Sequence, residues 1–128
     1  MPSRAKDWLG QAHRDLRAAG GALAAETFEW ACFIAQQAAQ KAVKAMARHR
    51  GGEARGHLVC RLIERVVMEE VPAEVSSAAR RLDAYYVPTR YPNGWPEGKP
   101  GDYYSRQDAE AAIDDARRIV EFCERHMA

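Results

Sequence analysis

Three groups of residues in this chain could do chemistry. The first is Gln37, Lys41 and Lys44. On a helix advancing about 100° per residue, Lys41 falls between Trp30 and Ile34, inside an apolar stripe. Gln37 lies one turn earlier and Lys44 about one turn later on the same edge. A lysine on an apolar face costs free energy unless its head is paired or reaches water. Either the four-carbon stem packs while the ammonium escapes to the rim, or the head joins Gln37 and Lys44 in an anion site. The residues alone leave both arrangements open.

The second group lies between Tyr86 and Tyr104, a stretch holding four of the six prolines and the turn dipeptide Asn93-Gly94. It carries Tyr86, Arg90, Tyr91, Trp95, Lys99, Tyr103 and Tyr104. A guanidinium forks onto phosphate oxygens and aromatic rings stack on bases, so this set suits phosphate-plus-base recognition. Rings that staple the segment to the protein would account for the aromatics but poorly for Arg90. The third group is His57, preceded by Arg50 and Arg55. It is either a structural or exposed residue at a helix start, or a general acid–base acting on a phosphodiester. His13, His49 and His126 fall on polar faces. The sequence has no phosphate-binding Gly-rich loop, HExxH, paired-carboxylate motif or nucleophile elbow.

Helices must position these groups, because the apolar spacing is helical almost throughout. Trp8/Leu9, Ala12, Leu16, Ala19 and Leu23 define a first helix, weakened at its end by Gly20-Gly21. Thr27 is placed to N-cap a second, Ala-rich helix from about Phe28 to about Arg48, whose stripe is Trp30, Ile34, Ala38, Ala42 and Ala45. Gly51-Gly52 stops it. A third helix follows His57, with Leu58/Val59, Leu62/Ile63 and Val66 inward, and Pro72 suits the first turn of a fourth. Ser105 to Asp108 resembles a capping box that opens a last helix. The expected fold is all-α: an antiparallel up-and-down bundle of about five helices, with one long Pro/Tyr-rich loop before the last helix. A loop of that length in a compact domain is often functional.

Composition narrows the classes. The chain has 128 residues, 47% of them hydrophobic, which fits a single domain over residues 1–128 with one core. The formal net charge is +1, so no global field drives it toward nucleic acid or anionic membrane. Residues 41–65 nevertheless carry seven basic residues against Glu53 and Glu64. No apolar run is long enough to span a bilayer, and the N-terminal Met1-Pro2-Ser3-Arg4 has no apolar stretch behind it. A cytoplasmic location is expected. Cys32, Cys60 and Cys123 are widely spaced and each falls on an apolar face, so core packing is expected rather than a disulfide or a metal site.

Several of these features coincide with one family. The run Ala31 to Ala45, with Gln36-Gln37 and Lys41-Ala42-Val43-Lys44, resembles the central helix motif of the HEPN domain family. Gly56-His57-Leu58 is similar to that family's Thr-His-Asp-Leu element, and Tyr86-Val87-Pro88-Thr89-Arg90-Tyr91-Pro92 to its Tyr-x-x-x-Arg-Tyr-Pro loop. Asp15-Leu16 in the first helix fits too. The resemblance implies an α-helical bundle, often a dimer or higher homo-oligomer, with no cofactor. The family's name denotes nucleotide binding. Small prokaryotic members are commonly encoded beside a minimal nucleotidyltransferase, many pairs acting as toxin and antitoxin. Many HEPN domains are metal-independent endoribonucleases with an Arg-x(4–6)-His motif, a spacing that Arg50 and His57 share here. Carried over residue by residue, the resemblance implies nucleotide or phosphate binding by Gln37, Lys41, Lys44, His57, Arg90 and Tyr91.

Three functions are thus open. The first is a non-catalytic module that holds a nucleotide or RNA phosphate and partners a minimal nucleotidyltransferase. The second is a metal-independent ribonuclease using Arg50 or Arg55 with His57. The third is a pure protein-assembly domain.

Overall fold

The fold is described from a computed structural model of the chain, over residues 4–128. Met1 to Ser3, at the start of the N-terminal stretch that has no apolar run behind it, lie outside the described residues. Five α-helices follow in order: α1 Ala5–Ala24, α2 Phe28–His49, α3 Val59–Val66, α4 Ala73–Asp83 and α5 Arg106–Arg125. Two single 3₁₀ turns, Pro92–Gly94 and Pro100–Asp102, lie between α4 and α5.

The central helix is α2, which packs against every other α-helix. Its inward face is built from small residues: Ala31, Ala35, Ala38, Ala39, Ala42 and Ala45 are fully buried. Small side chains let neighbouring helices approach closely. The three-residue connection after α1 turns the chain back, so Trp8 meets Lys44 while Asp15 meets Lys41, an antiparallel hairpin. α5 runs alongside α2 in the same direction, with Arg106 against Phe28 at one end and Cys123 near Arg50 at the other. It is antiparallel to α1, as the His13–Glu124 and Arg106–Glu26 pairs require. α4 makes the return stroke and is bound to α5 through Arg81, whose guanidinium donates two hydrogen bonds to the buried Asp115. The short α3 packs on α2 and α4. No helix among the described residues is long and apolar enough to cross a membrane.

Local chemistry fixes the element ends. Ser105 caps α5 as its sequence suggests: Oγ accepts from the Asp108 amide at 3.2 Å, and the Asp108 carboxylate accepts from the Ser105 amide at 2.9 Å. Thr27 does not cap α2. Its hydroxyl donates to the Ala22 carbonyl instead, tying down the end of α1. α1 runs on through Gly20-Gly21 to Ala24.

Two bulky residues assigned to the interior lie outside it. Trp30 is 45% exposed and Leu58 43% exposed. The buried stripe of α2 passes through the alanines, so Trp30 and Ile34 sit on its outer edge and Lys41 sits there with them. Leu58 has extended backbone just before α3, outside the helical phase. Cys32 and Cys123 are core residues, and burial pushes both thiols up to about 12. Cys60 is only half-buried.

Candidate functional site

The segment after α4 is stapled by its own side chains before it offers any to a ligand. The buried Thr89 hydroxyl donates to the Tyr85 carbonyl, and Trp95 Nε1 donates to the Pro88 carbonyl at 2.9 Å. Trp95 and Tyr103 stack with ring centroids 3.9 Å apart, and the Tyr103 hydroxyl donates to the Glu97 carbonyl. Lys99 is bound to Asp102. Trp95, Lys99, Tyr103 and Tyr104 thus hold the loop together, whereas Tyr86, Arg90 and Tyr91 gather beside α2.

Arg90 is the centre of that gathering. Its guanidinium carbon lies 4.4 Å from the Phe33 ring centroid, 4.8 Å from Tyr86 and 5.1 Å from Tyr91. Nε donates to the Tyr86 carbonyl at 2.9 Å, which aims the fork. Among the described residues, no carboxylate pairs with it and its two terminal nitrogens meet no acceptor. Tyr91 is half-exposed, and Trp30 stands edge-on to Phe33 at 6.0 Å. Flat apolar faces therefore surround a cation with hydrogen bonds to give.

His57 joins from the other side. Its ring stacks on Tyr86, centroids 5.1 Å apart and planes 13° apart. Its backbone is held from beneath, where the buried amides of Gln36 and Gln40 both donate to the His57 carbonyl, at 2.7 and 3.0 Å. Gln36 also donates to Asp83, and Gln37 donates to Gln36 Oε1 at 2.8 Å. Asp83, at the end of α4, accepts the Val59 and Cys60 amides at 2.7 and 2.9 Å and so caps α3 from outside its own segment. No buried side-chain polar atom among the described residues is left without a partner.

The six residues expected to bind a nucleotide or phosphate divide into two places along α2. His57, Arg90 and Tyr91 come together beside its N-terminal half, with Gln37 midway. Lys41 and Lys44 lie beyond it, facing α1. Lys41 neither snorkels freely nor stands open to an anion: Nζ is 2.5 Å from the carboxylate of the buried Asp15, which also accepts from Gln11. Lys44 lies 5.8 Å from the Trp8 ring centroid and has no carboxylate partner among the described residues. Burial, and then repulsion from Lys41, lowers its pKa.

Arg50 and His57 line separate depressions. Arg50 is bound through both terminal nitrogens to Glu69, one contact at 2.8 Å, and also to the Val66 carbonyl. Arg55 and His57 do share a depression, with Arg61 and Arg65. No cluster of three potential metal-ligating side chains occurs among the described residues. Gln36, Gln40 and Asp83 were not singled out from sequence. The glutamines were visible as polar residues in an Ala-rich helix, but Asp83 carried no signal, since its partners are more than twenty residues away.

The family model for the HEPN domain matches residues 5–126. The chain belongs to the HEPN family. A crystal structure of a Thermus thermophilus protein is 43% identical, with a TM-score of 0.95, covering 98% of this chain and 99% of that one. A crystal structure described as an archaeal HEPN homologue is 38% identical over the full length of both chains, with a TM-score of 0.83. An HEPN domain protein from Thermotoga maritima is 34% identical, with a TM-score of 0.76, covering 93% of this chain and 95% of that one. No curated protein matches the chain. The Arg90–His57 cluster lies within the matched residues, where α2, the segment before α3 and the loop after α4 meet.

Proposed function

We propose that this HEPN domain binds a nucleotide or an RNA phosphate beside the N-terminal half of α2, and that it partners a minimal nucleotidyltransferase in a toxin–antitoxin-like two-gene module. The observation that carries the binding reading is Arg90, held among three aromatic rings with both terminal nitrogens unused among the described residues. Its fork suits phosphate oxygens, and half-exposed Tyr91 with exposed Trp30 offers stacking faces for a base. His57 adds a ring nitrogen for a phosphate or sugar oxygen. Lys44 is the lysine of the α2 stripe whose charge no carboxylate among the described residues answers, and it adds longer-range attraction; Lys41 is committed to Asp15. The partner and module are supported by family membership and by the habit of small prokaryotic members.

A thermal-shift titration with AMP and ATP tests the binding. A ligand at about a hundred times its Kd stabilises by about 2.7 kcal/mol, a rise of several degrees. Arg90→Ala removes the shift, and Arg90→Lys restores little of it because an ammonium has neither the fork nor the plane. No shift at millimolar nucleotide, or an equal shift in Arg90→Ala, refutes the reading. Co-expression with a minimal nucleotidyltransferase, followed by size-exclusion chromatography, tests the partner.

One observation favours a second reading, a metal-independent ribonuclease: Arg55 and His57 line one depression. RNA incubated with the protein in EDTA is then cleaved, and cleavage is lost in His57→Ala.

A further inference from the structure

A groove between the start of α1 and the end of α2 lies apart from Arg90: Lys44 is eleven residues along α2 from Phe33, roughly 16 Å of helical rise. The groove has a volume of about 450 Å³ and is lined by Arg4, Asp7, Trp8, Gln11, Lys41 and Arg48. Two cationic heads lie against its aromatic wall. The Lys44 ammonium is 5.8 Å and the Arg48 guanidinium carbon 5.5 Å from the Trp8 ring centroid. Three cations here each hold a carboxylate of the chain itself: Arg4 holds Asp7 at 2.6 Å, Lys41 holds Asp15 at 2.5 Å and Arg48 holds Glu53 at 3.1 Å. Lys44 has no carboxylate among the described residues, although it is partly buried and has Lys41 for a neighbour.

Lys41, Lys44 and Arg48 follow one another at three and four residues, so they form a row along one edge of α2 that spans roughly 10 Å. We propose that this groove docks an acidic segment of a partner protein, with Lys44 as the anchor for one of its carboxylates. Charge complementarity carries the assignment. The groove already pairs cation with carboxylate three times, and the contact of Arg48 with the exposed Glu53 is one that an incoming acid can exchange with. A carboxylate on Lys44 offsets the burial and the repulsion from Lys41 that now lower its pKa. A lone small acid gains little at a partly exposed lysine, whereas a segment brings several carboxylates to the whole row. A nucleotide base competes with two cations for the Trp8 ring. Docking here needs neither Arg90 nor a bound nucleotide.

The test is fluorescence anisotropy on the full chain with a labelled peptide of Glu-Ala-Ala-Glu repeats at low salt. The peptide binds, and Lys44→Gln weakens binding at least about fivefold, the scale of one charge pair. Lys44→Arg keeps most of the affinity, which separates lost charge from lost folding. Lys44→Glu rejects the acidic peptide and binds a Lys-Ala-Ala-Lys peptide more tightly than the native protein does. In NMR the Trp8 indole N–H signal moves on titration, while that of Trp95, bonded to the Pro88 carbonyl, stays. That pattern places the peptide in the groove rather than at Arg55, Arg61 and Arg65. No binding at millimolar peptide, equal binding in Lys44→Gln, or an unmoved Trp8 signal overturns the proposal. If glutarate reproduces the Trp8 shift at the same concentration as the peptide, the site takes a small acid and the docking assignment is overturned. If a deoxythymidylate strand displaces the peptide and binds more tightly, the protein assignment is overturned.

Discussion

Replacing Asp83 with Ala removes a support that no neighbouring residue in sequence could supply. Its carboxylate accepts the Val59 and Cys60 amides, at 2.7 and 2.9 Å, and the Gln36 amide at 3.2 Å. The two backbone bonds are an N-cap delivered from another helix, and losing a cap costs about 1 kcal/mol, at most about 2. The freed Gln36 amide and the part-buried amides of α3 add about 1 kcal/mol more. The expected loss is therefore about 2–3 kcal/mol. At the usual unfolding entropy per residue, a chain of this length loses about 8–12 °C in Tm. Asp83→Asn keeps one acceptor oxygen but points an amide nitrogen at the Cys60 N–H, so its loss is about half as large. Thermal unfolding of the three proteins measures this directly. Near-UV circular dichroism reports the companion effect: Gln36 also holds the His57 carbonyl, so the His57–Tyr86 stack loosens in Asp83→Ala. A Tm change below about 2 °C in Asp83→Ala, or equal losses in Ala and Asn, would refute the capping account.

Two further outcomes are expected. Lys41→Met leaves the buried Asp15 charge with Gln11 alone, and Asp15→Asn removes the partner of a half-buried ammonium, so each single change costs about 1–3 kcal/mol. The double change costs less than the sum of the two, and additive losses in denaturant unfolding would show that the pair is not coupled. The Arg50 hydrogen bond holds the Glu69 carboxyl down to about 2, against an ordinary value of 4.5. A group whose folded pKa is lowered contributes stability that is full above its ordinary pKa and is lost as pH falls toward the folded value. The stability difference between the native protein and Glu69→Gln therefore shrinks between pH 4.5 and about 2; a difference unchanged across that window contradicts the linkage.

Much of the fold could be read from local pattern. Helix existence, the Ala-rich central helix, the Ser105 capping box and the long segment after α4 all follow from spacing and composition, because period and cap chemistry act within a few residues. The inward face of α2 followed in part, since Ala38, Ala42 and Ala45 of the expected stripe are buried. Trp30 and Ile34, expected in the same stripe, lie at its outer edge, because the buried face is set by close approach of neighbouring helices to alanines. Thr27 departs from its expected role for a related reason: its hydroxyl had two acceptable uses, and the turn from α1 selected the Ala22 carbonyl.

The site shows the same division. The sequence by itself determined that Arg90, Tyr91, His57, Gln37, Lys41 and Lys44 were present in the order of three family motifs, and that Arg90 was hard to explain as packing. Only the tertiary structure decided which of them meet. It gave Lys41 to Asp15 and Arg50 to Glu69, and it left Arg90 among Phe33, Tyr86 and Tyr91 without a carboxylate among the described residues. The physical reason is that charge pairing and ring stacking act across a few ångströms of space, whereas these partners are separated by as many as fifty-seven residues of chain.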